Sequence, residues 1–467
     1  MNFYFEAAKT LDRLDAKEGS IKGILATLPE KDRKRTAALV IETLKYKSVL
    51  SDVINSAALL KEERKKLTSL NLALVLVHDV LLAGGIQAGD GPIKQAVLRH
   101  KTRLHGEFQK LKIKRGAKSN ADLAQSGDAR AEQIPRYVRV NTTMWTLEDA
   151  VKYLKAQGFT LGSSPSDKTF AHDAHIPNLL LFSPQTPFHA DAAYQSGKLI
   201  LQDKASCFPA YVLSPPAFDN AVVIDATAAP GNKTTHLCAL MRNKGKLYAF
   251  ERDRKRFGTL TMMLKKAGCK NAEALNADFL ATDPTDLKFV EVTHILLDPS
   301  CSGSGIVNRL DYLLETEDEL DPGAQDDRLA KLASFQLMMI KHAMKFPKVS
   351  RIVYSTCSIH ATENEGVVSA ALSSDEAKAG SFGLAPRESV LPKWERRGMP
   401  EHIAEGASSL IRCSPGEDAT NGFFVSCFVR RPSNKRKGEE DEGEGAARPK
   451  KKKKKKNKPR ESESVPS

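Results

Sequence analysis

Apolar positions recur at three- and four-residue spacing through FYFEAAKTLDRLDAKEGSIKGILATL and RKRTAALVIETLKYKSVLSDVINSA, with charged positions between them. That period predicts amphipathic helices, giving a helical N-terminal module over residues 1–112. The basic stretch KIKRGAKSNADLAQSGDARAEQ, with its Gly, Ser and Asp residues, breaks the period and reads as a linker over residues 113–134. From Pro135 the texture changes. PRYVRVNTT alternates as a strand does, TLEDAVKYLKAQG carries a helix start signal and a glycine stop, and NLLLFSP is a second short strand. Residues 135–200 therefore predict a small α/β unit. Over residues 201–430, β-rich apolar runs alternate with amphipathic segments, as in AVVIDATAAPGNKTTHLCALM, KLYAFERDRKRFGTLTMMLKKAG, HILLDPSCSGSG, LASFQLMMIKHAMKF and RIVYSTCSIH. This alternation predicts an α/β fold with a mostly parallel, doubly wound sheet covered by helices on both faces. Such sheets receive ligands at the carboxyl ends of their strands.

Charge alters the picture mainly at one end. Of the net charge of +14, a surplus of eight lies from Arg430 onward, where 15 Lys or Arg face 7 Asp or Glu. The segment includes an unbroken lysine run from Lys450 to Lys456 and has no apolar face, so residues 431–467 are expected to be a disordered basic tail. A lysine run serves solubility, targeting or attraction to nucleic acid, and it points to the nucleus and nucleolus, where polyanions are dense. The seven cysteines form no CxxC pair, and no cysteines or histidines stand at ligand spacing, so neither a disulfide framework nor zinc is expected. The chain opens with no secretory pattern, which predicts a reducing, intracellular setting. The longest apolar run, LNLALVLVHDVLLAGG, is interrupted by His78 and Asp79 and is too short for a bilayer, so a soluble protein with no membrane partner is expected.

Candidate chemistry gathers at the predicted strand ends. In VVIDATAAPGNKTTHL a strand ends at Asp225, Pro230 and Gly231 permit a tight turn, and a helix begins near Lys233 with its amides facing that turn. The next strand ends at Glu251, where a carboxylate can accept both hydroxyls of a ribose, and a third ends at Asp278, near the adenine side. Together the three carboxylates suggest an adenosine pocket; singly, each has a plainer reading as a helix cap, a surface charge or a turn residue. With neither a Walker lysine motif nor GxGxxG, a triphosphate or dinucleotide fits poorly. Two further strand ends carry Asp298 with Cys301, and then Cys357. A thiolate near a helix start or a basic group is a soft nucleophile suited to conjugate addition at carbon 6 of a cytosine, which makes carbon 5 nucleophilic. A carboxylic acid bonded to ring nitrogen 3 would stabilise the developing charge. Cys207, Cys238, Cys269, Cys413 and Cys427 read as core fillers. Arg136, Arg139 and Asn141, beside Tyr137 on one strand, form a candidate surface for single-stranded nucleic acid, with a solvated strand edge as the alternative.

The motifs DATAAPGNKTTHL, DPSCSGSG and YSTCSIHATENEGVV, in this order and spacing, resemble the signature of the Sun-type (NSUN) RNA cytosine carbon-5 methyltransferases. The resemblance runs from VRVN near Val138 through LQDKAS to NGFFVSCF, and the helical N-terminus, DPSC and the lysine-rich tail are most similar to the fifth, nucleolar paralogue, which methylates large-subunit ribosomal RNA. It implies a Rossmann-like class I methyltransferase domain with a small α/β RNA-binding subdomain and a helical module in front. It also implies S-adenosyl-L-methionine as cofactor and RNA, as large-subunit rRNA or pre-ribosome, as partner. S-adenosylmethionine would lie against Thr227, Ala228, Ala229, Pro230, Gly231, Asn232 and Lys233, with Glu251 on the ribose, Arg256 nearby, Asp278 at the adenine side, and Asp298 near the methyl group and the target base. Cys357 matches the nucleophile, and Cys301 the second cysteine, which assists release of the covalent adduct. Ser300 stands where the family usually has a second proline, and Glu251 where aspartate is commoner. A DNA cytosine methyltransferase, which would attack with the earlier cysteine, and a non-catalytic ribosome-assembly factor are the rival readings.

Overall fold

The computed structural model describes residues 1–314, 322–403 and 405–431; the lysine-rich tail expected at the end lies, from residue 432 on, outside the described residues. Helices occupy the N-terminal part from Asn2–Asp15 to Lys101–Lys114. The long apolar run forms the helix Leu70–Leu82, buried from Asn71 to Leu81 because its neighbours surround it. Its polar interruptions are satisfied in place. His78 Nδ1 lies 3.0 Å from Asp79 Oδ1, and the Tyr4 hydroxyl donates to the other oxygen of Asp79. The stretch read as a linker packs on this bundle. Leu123 is buried in the helical core, and the Gln125 backbone N–H donates to Lys45 O at 2.7 Å.

Strands β1 (Arg136–Val140), β2 (Thr160–Leu161), β3 (Thr169–His172), β4 (Leu179–Phe182) and β5 (Leu199–Leu201) form a small sheet in the order β2-β3-β4-β1-β5. The helix Leu147–Ala156 starts with a capping box, Thr146 and Asp149 satisfying each other's backbone N–H groups. The large sheet holds β6 (Val222–Asp225), β7 (Lys246–Phe250), β8 (Ala272–Leu275), β9 (His294–Leu297), β10 (Arg351–Thr356), β11 (Phe382–Leu384), β12 (Ile411–Cys413) and β13 (Phe423–Arg430). Its order is β11-β13-β10-β9-β6-β7-β8, with β12 also paired to β13. From β8 to β10 all neighbours are parallel, while β13 runs antiparallel to β10, β11 and β12. Successive residues of β9 and β10 enter different cores. Leu296 and Val353 pack with the helix Lys204–Leu213 on one face; Ile295, Leu297, Ile352 and Tyr354 pack with the helix Pro322–Met344 on the other. Each such aliphatic side chain removed from water contributes about 1.5–3 kcal/mol, which explains why both faces of these strands read as apolar. The strand order reverses between β6 and β9, so a crevice opens beyond their carboxyl ends.

One expectation for the small sheet is overturned. Arg139 and Asn141 are 1% and 0% exposed, and Tyr137 is buried too, so this strand presents neither a nucleic-acid surface nor a solvated edge there. Arg139 instead crosses to the large domain, donating from Nε to Gln202 Oε1 at 2.7 Å and from Nη2 to Thr235 Oγ1 at 2.7 Å. Asn141 Nδ2 donates to Gly197 O at 2.9 Å and Ala267 O at 2.8 Å, and the Tyr137 hydroxyl to Ala419 O at 2.7 Å. A polar residue on a strand reads as solvent-facing only if nothing covers that face, and here the large sheet's helices do. Arg139→Met is expected to lower the unfolding free energy by about 1–3 kcal/mol, since it leaves Gln202 and Thr235 without their buried partner. A lower denaturant midpoint at unchanged slope is the measurement that checks it.

Candidate active site

The first turn of the crevice is braced from behind. Asp225, 1% exposed, accepts from the Thr234 hydroxyl at 2.8 Å, and burial pushes its carboxyl up to about 6. It does not line the cleft, so the adenosine-contact reading of Asp225 gives way to a structural one. Gly231 has φ +112°, and a Cβ there would stand 3.1 Å from Met263, so only glycine makes this bend without strain. Ala228 and Gly231 hold the turn's shape, while Thr227, Ala229, Pro230, Asn232 and Lys233 face the cleft. The helix Asn232–Leu240 begins here, and Asn232 Oδ1 is buried without a partner.

At the end of β7, Glu251 lines the same cleft at 5% exposure and accepts from the Asp253 N–H at 2.8 Å. Arg256 connects two strand ends: its Nη2 donates to Ala229 O at 2.8 Å, and its Nη1 lies 3.4 Å from Glu251 Oε2. Asp278 accepts from the Leu280 N–H at 3.0 Å and so caps the short turn Phe279–Ala281, yet it also borders the cleft. Phe250, Phe279, Phe335 and Met339 supply apolar wall beside these carboxylates. Carboxylates at successive strand ends, an apolar wall, a helix start and the orphaned Asn232 oxygen fit an adenosine carrying an amino-acid moiety.

Asp298 ends β9. Its backbone N–H donates to Thr227 Oγ1 at 3.0 Å, its Oδ1 accepts from the Ser355 hydroxyl at 2.8 Å, and its Oδ2 lies 2.7 Å from Lys233 Nζ. Lys233, read from sequence as a cofactor contact, is thus also the ion-pair partner of Asp298. Burial works against its charge, but Asp298, Cys357 and Asp225 hold it above its ordinary value. Cys301 Sγ and Cys357 Sγ stand 3.2 Å apart. Their loops are stitched together, with the Gly305 N–H donating to Cys357 O at 2.9 Å and the Ser302 hydroxyl to Ser358 Oγ at 3.1 Å. The Cys301 hydrogen bond, helped by the charges of Lys233 and Arg309, holds Cys357 below the ordinary thiol value against the opposing effect of burial and Asp298. That same bond, with burial, pushes Cys301 up. Of the two sulfurs Cys357 is therefore the more readily ionised and the more nucleophilic.

Both sulfurs, Asp298, Lys233, Glu251 and Asp278 line one cleft of about 1450 Å³, which extends to Arg136, Arg309 and, on the helical module, Lys22. Ser355, Arg309 and Thr234 were not singled out from the sequence. Ser355 and Thr234 lie next to motif residues, but only the pairing of neighbouring strands shows what they touch. Cys207, Cys238, Cys413 and Cys427 are buried, and burial drives the Cys207 thiol up to about 12 and that of Cys427 to about 11. Among the described residues no group of three or more His, Cys, Asp or Glu could hold a metal ion, and no helix is long and apolar enough to cross a membrane.

Strand order, turn and cleft define the class I, S-adenosylmethionine-dependent methyltransferase fold. Residues 210–429 match the family described as 16S rRNA methyltransferase RsmB/F. Residues 34–124 match the N-terminal domain, and residues 134–202 the ferredoxin-like domain, of NOL1/NOP2/Sun domain family member 5. The 25S rRNA (cytosine-C(5))-methyltransferase rcm1 of Schizosaccharomyces pombe is 44% identical over 430 residues, covering 91% of this chain and 91% of that protein. The 28S rRNA (cytosine-C(5))-methyltransferase of Mus musculus is 43% identical over 441 residues, covering 92% of this chain and 91% of that protein. A solved methyltransferase homologue from Pyrococcus horikoshii has a TM-score of 0.51 at 26% identity, covering 65% of this chain and 89% of that one. The chain belongs to the NOL1/NOP2/Sun family of S-adenosylmethionine-dependent RNA cytosine-C5 methyltransferases, in the branch of its member 5.

Because a thiolate and not a thiol is alkylated, the sulfur contact has a measurable signature. Iodoacetamide modification of Cys357, followed by peptide mass spectrometry against pH, is expected to reach half its plateau below the ordinary thiol range. In Cys301→Ala the midpoint moves to higher pH, because the donor that stabilises the thiolate is gone. Equal midpoints would rule out that hydrogen bond as the cause.

Proposed function

We propose that the protein methylates carbon 5 of a cytosine in RNA of the large ribosomal subunit, through a covalent bond from Cys357 to carbon 6. The observation that carries this reading is the 3.2 Å sulfur pair beside the Lys233–Asp298 ion pair, in the cleft that also holds Glu251 and Asp278. The substrate class is supported by the relatives, which are named for the 25S and 28S rRNA cytosine. Such RNA is made and assembled in the nucleolus of a eukaryotic cell, which the lysine-rich tail suits.

The Cys357 thiolate adds to carbon 6 of a cytosine, most simply one turned out of its stack, and its electron pair raises the density at carbon 5. Charge developing toward ring nitrogen 3 is met by the proton shared in the Lys233–Asp298 pair, rather than by a carboxylic acid standing alone. S-adenosylmethionine, held by Thr227, Ala229, Pro230, Asn232, Lys233, Glu251 and Asp278, would supply an electrophilic methyl group when bound. In release the carbon 5 proton passes to water in the open cleft, the C–H bonding pair re-forms the 5,6 double bond, and the Cys357 thiolate leaves carbon 6. Cys301, in contact with the departing sulfur, assists that step. A vestigial enzyme acting only in ribosome assembly has no use for a charged Lys–Asp pair and a paired thiolate.

Cys357→Ala is expected to lower methyl transfer by at least about 10³-fold while S-adenosylmethionine still binds by calorimetry. Transfer at the wild-type rate would refute the assignment. Cys301→Ala should accumulate a covalent RNA–protein species, visible as a shifted band on a denaturing gel. Bisulfite sequencing of ribosomal RNA with and without the gene, alongside parallel assays on RNA and DNA, tests the substrate: an unchanged ribosomal pattern, or transfer to DNA alone, counts against it.

A further inference from the structure

Gln336 and Glu363 are both fully buried, and neither belongs to the cofactor site or the sulfur pair. Gln336 lies on the helix Pro322–Met344 and Glu363 on the turn Ala361–Glu363 that follows Cys357. The two side chains meet: Gln336 Nε2 donates to Glu363 Oε1 at 2.9 Å. From there they reach the peptide groups on each side of Cys301. Gln336 Nε2 also donates to Ser300 O at 3.0 Å, and Glu363 Oε1 accepts from the Ser302 N–H at 2.9 Å. The Tyr354 hydroxyl, projecting from β10, stands 2.5 Å from Glu363 O and 2.9 Å from Gln336 Oε1, and the two acceptors facing Nε2 fix the amide's orientation. Cys357 is held differently. It follows β10 directly, and Asn364 braces its turn, accepting from the Thr356 hydroxyl at 2.6 Å and donating to Ser358 O at 2.9 Å.

We propose that the Gln336–Glu363 pair is a clamp that positions Cys301 for adduct release by holding its flanking peptides, whereas Cys357 is placed for attack mainly by β10 and Asn364. This rests on the roles assigned above to the two cysteines. At residue 300 this chain has serine, whose φ is free, where a proline would stiffen the loop. Two buried hydrogen bonds flanking Cys301 replace that stiffness and hold its sulfur in contact with the nucleophile. Loosening the clamp leaves attack intact and slows the step in which the carbon 5 proton passes to water, the double bond re-forms and the Cys357 thiolate leaves.

Gln336→Met keeps the side-chain length and removes both donors; Glu363→Ala removes the shared acceptor from the other side and serves if the first variant fails to fold. Single-turnover and steady-state assays at about pH 9, an alkaline pH that favours the Cys357 thiolate, separate the two steps. The expected result is a first turnover at the wild-type rate, a fall in kcat of about tenfold with KM for RNA unchanged, and a several-fold rise in the covalent band. Glu363→Gln, which restores an acceptor oxygen, should recover part of the release rate lost in Glu363→Ala. If attack and release fall together, or no band accumulates although Cys301→Ala accumulates one, the clamp has no such role. If Cys301→Ala itself accumulates none, the reading of Cys301 fails and the clamp fails with it.

Discussion

The structure depends on parallel pairing of three neighbouring strands. Ile224 and Asp225 of β6 lie beside Ile295 and Leu296 of β9, and Ile352 to Tyr354 of β10 lie beside Ile295 to Leu297. In-register parallel strands end together on one edge, so Thr227, Asp298 and Cys357, far apart in the chain, leave the sheet side by side. A single bond shows the consequence: the Asp298 N–H donates to Thr227 Oγ1 at 3.0 Å, tying the cofactor turn to the strand that leads to Cys301. Apolar side chains on both faces hold the strands, and the chemistry is confined to their ends, where the backbone is free to turn.

Placing several charged groups in a partly buried cleft creates an electrostatic demand that the residues meet pairwise. Lys233 neutralises Asp298, and the ammonium so retained also favours the thiolate at Cys357. The two sulfurs are made unequal by one hydrogen bond, because a thiol that donates to a thiolate is harder to ionise itself. Identical side chains thus acquire different chemistry from position alone. Asp225 is pushed up by burial, which outweighs the opposing charge of Lys233, and serves the turn through Thr234.

The other two parts of the chain form walls. The small sheet is fastened by Arg139, which reaches Thr235 on the helix that starts at the cofactor turn, so a strand outside the catalytic domain braces that helix. The helical bundle takes Leu313 into its core, a residue of the loop downstream of Cys301, and contributes Lys22 to the cleft. A buried cation and a shared apolar cluster make the contacts stiff, which suits a cleft that must present one base to two sulfurs.

The sequence alone was sufficient for the parallel sheet, the turn at Pro230 and Gly231, and the two cysteines at strand ends, because apolar periodicity and tight turns are local properties written in adjacent residues. The same reasoning misread Arg139 and Asn141. Alternation along β1 says which residues share a face, but not what covers it, and a helix almost a hundred positions later does so. It also left Lys233 with the cofactor alone and passed over Ser355, Gln336 and Glu363, whose partners come from other strands and helices. Local pattern determined which elements form and where reactive side chains emerge. Only the folded chain decided which sulfur ionises more readily and which polar residues are buried, since hydrogen bonding and desolvation depend on neighbours in space.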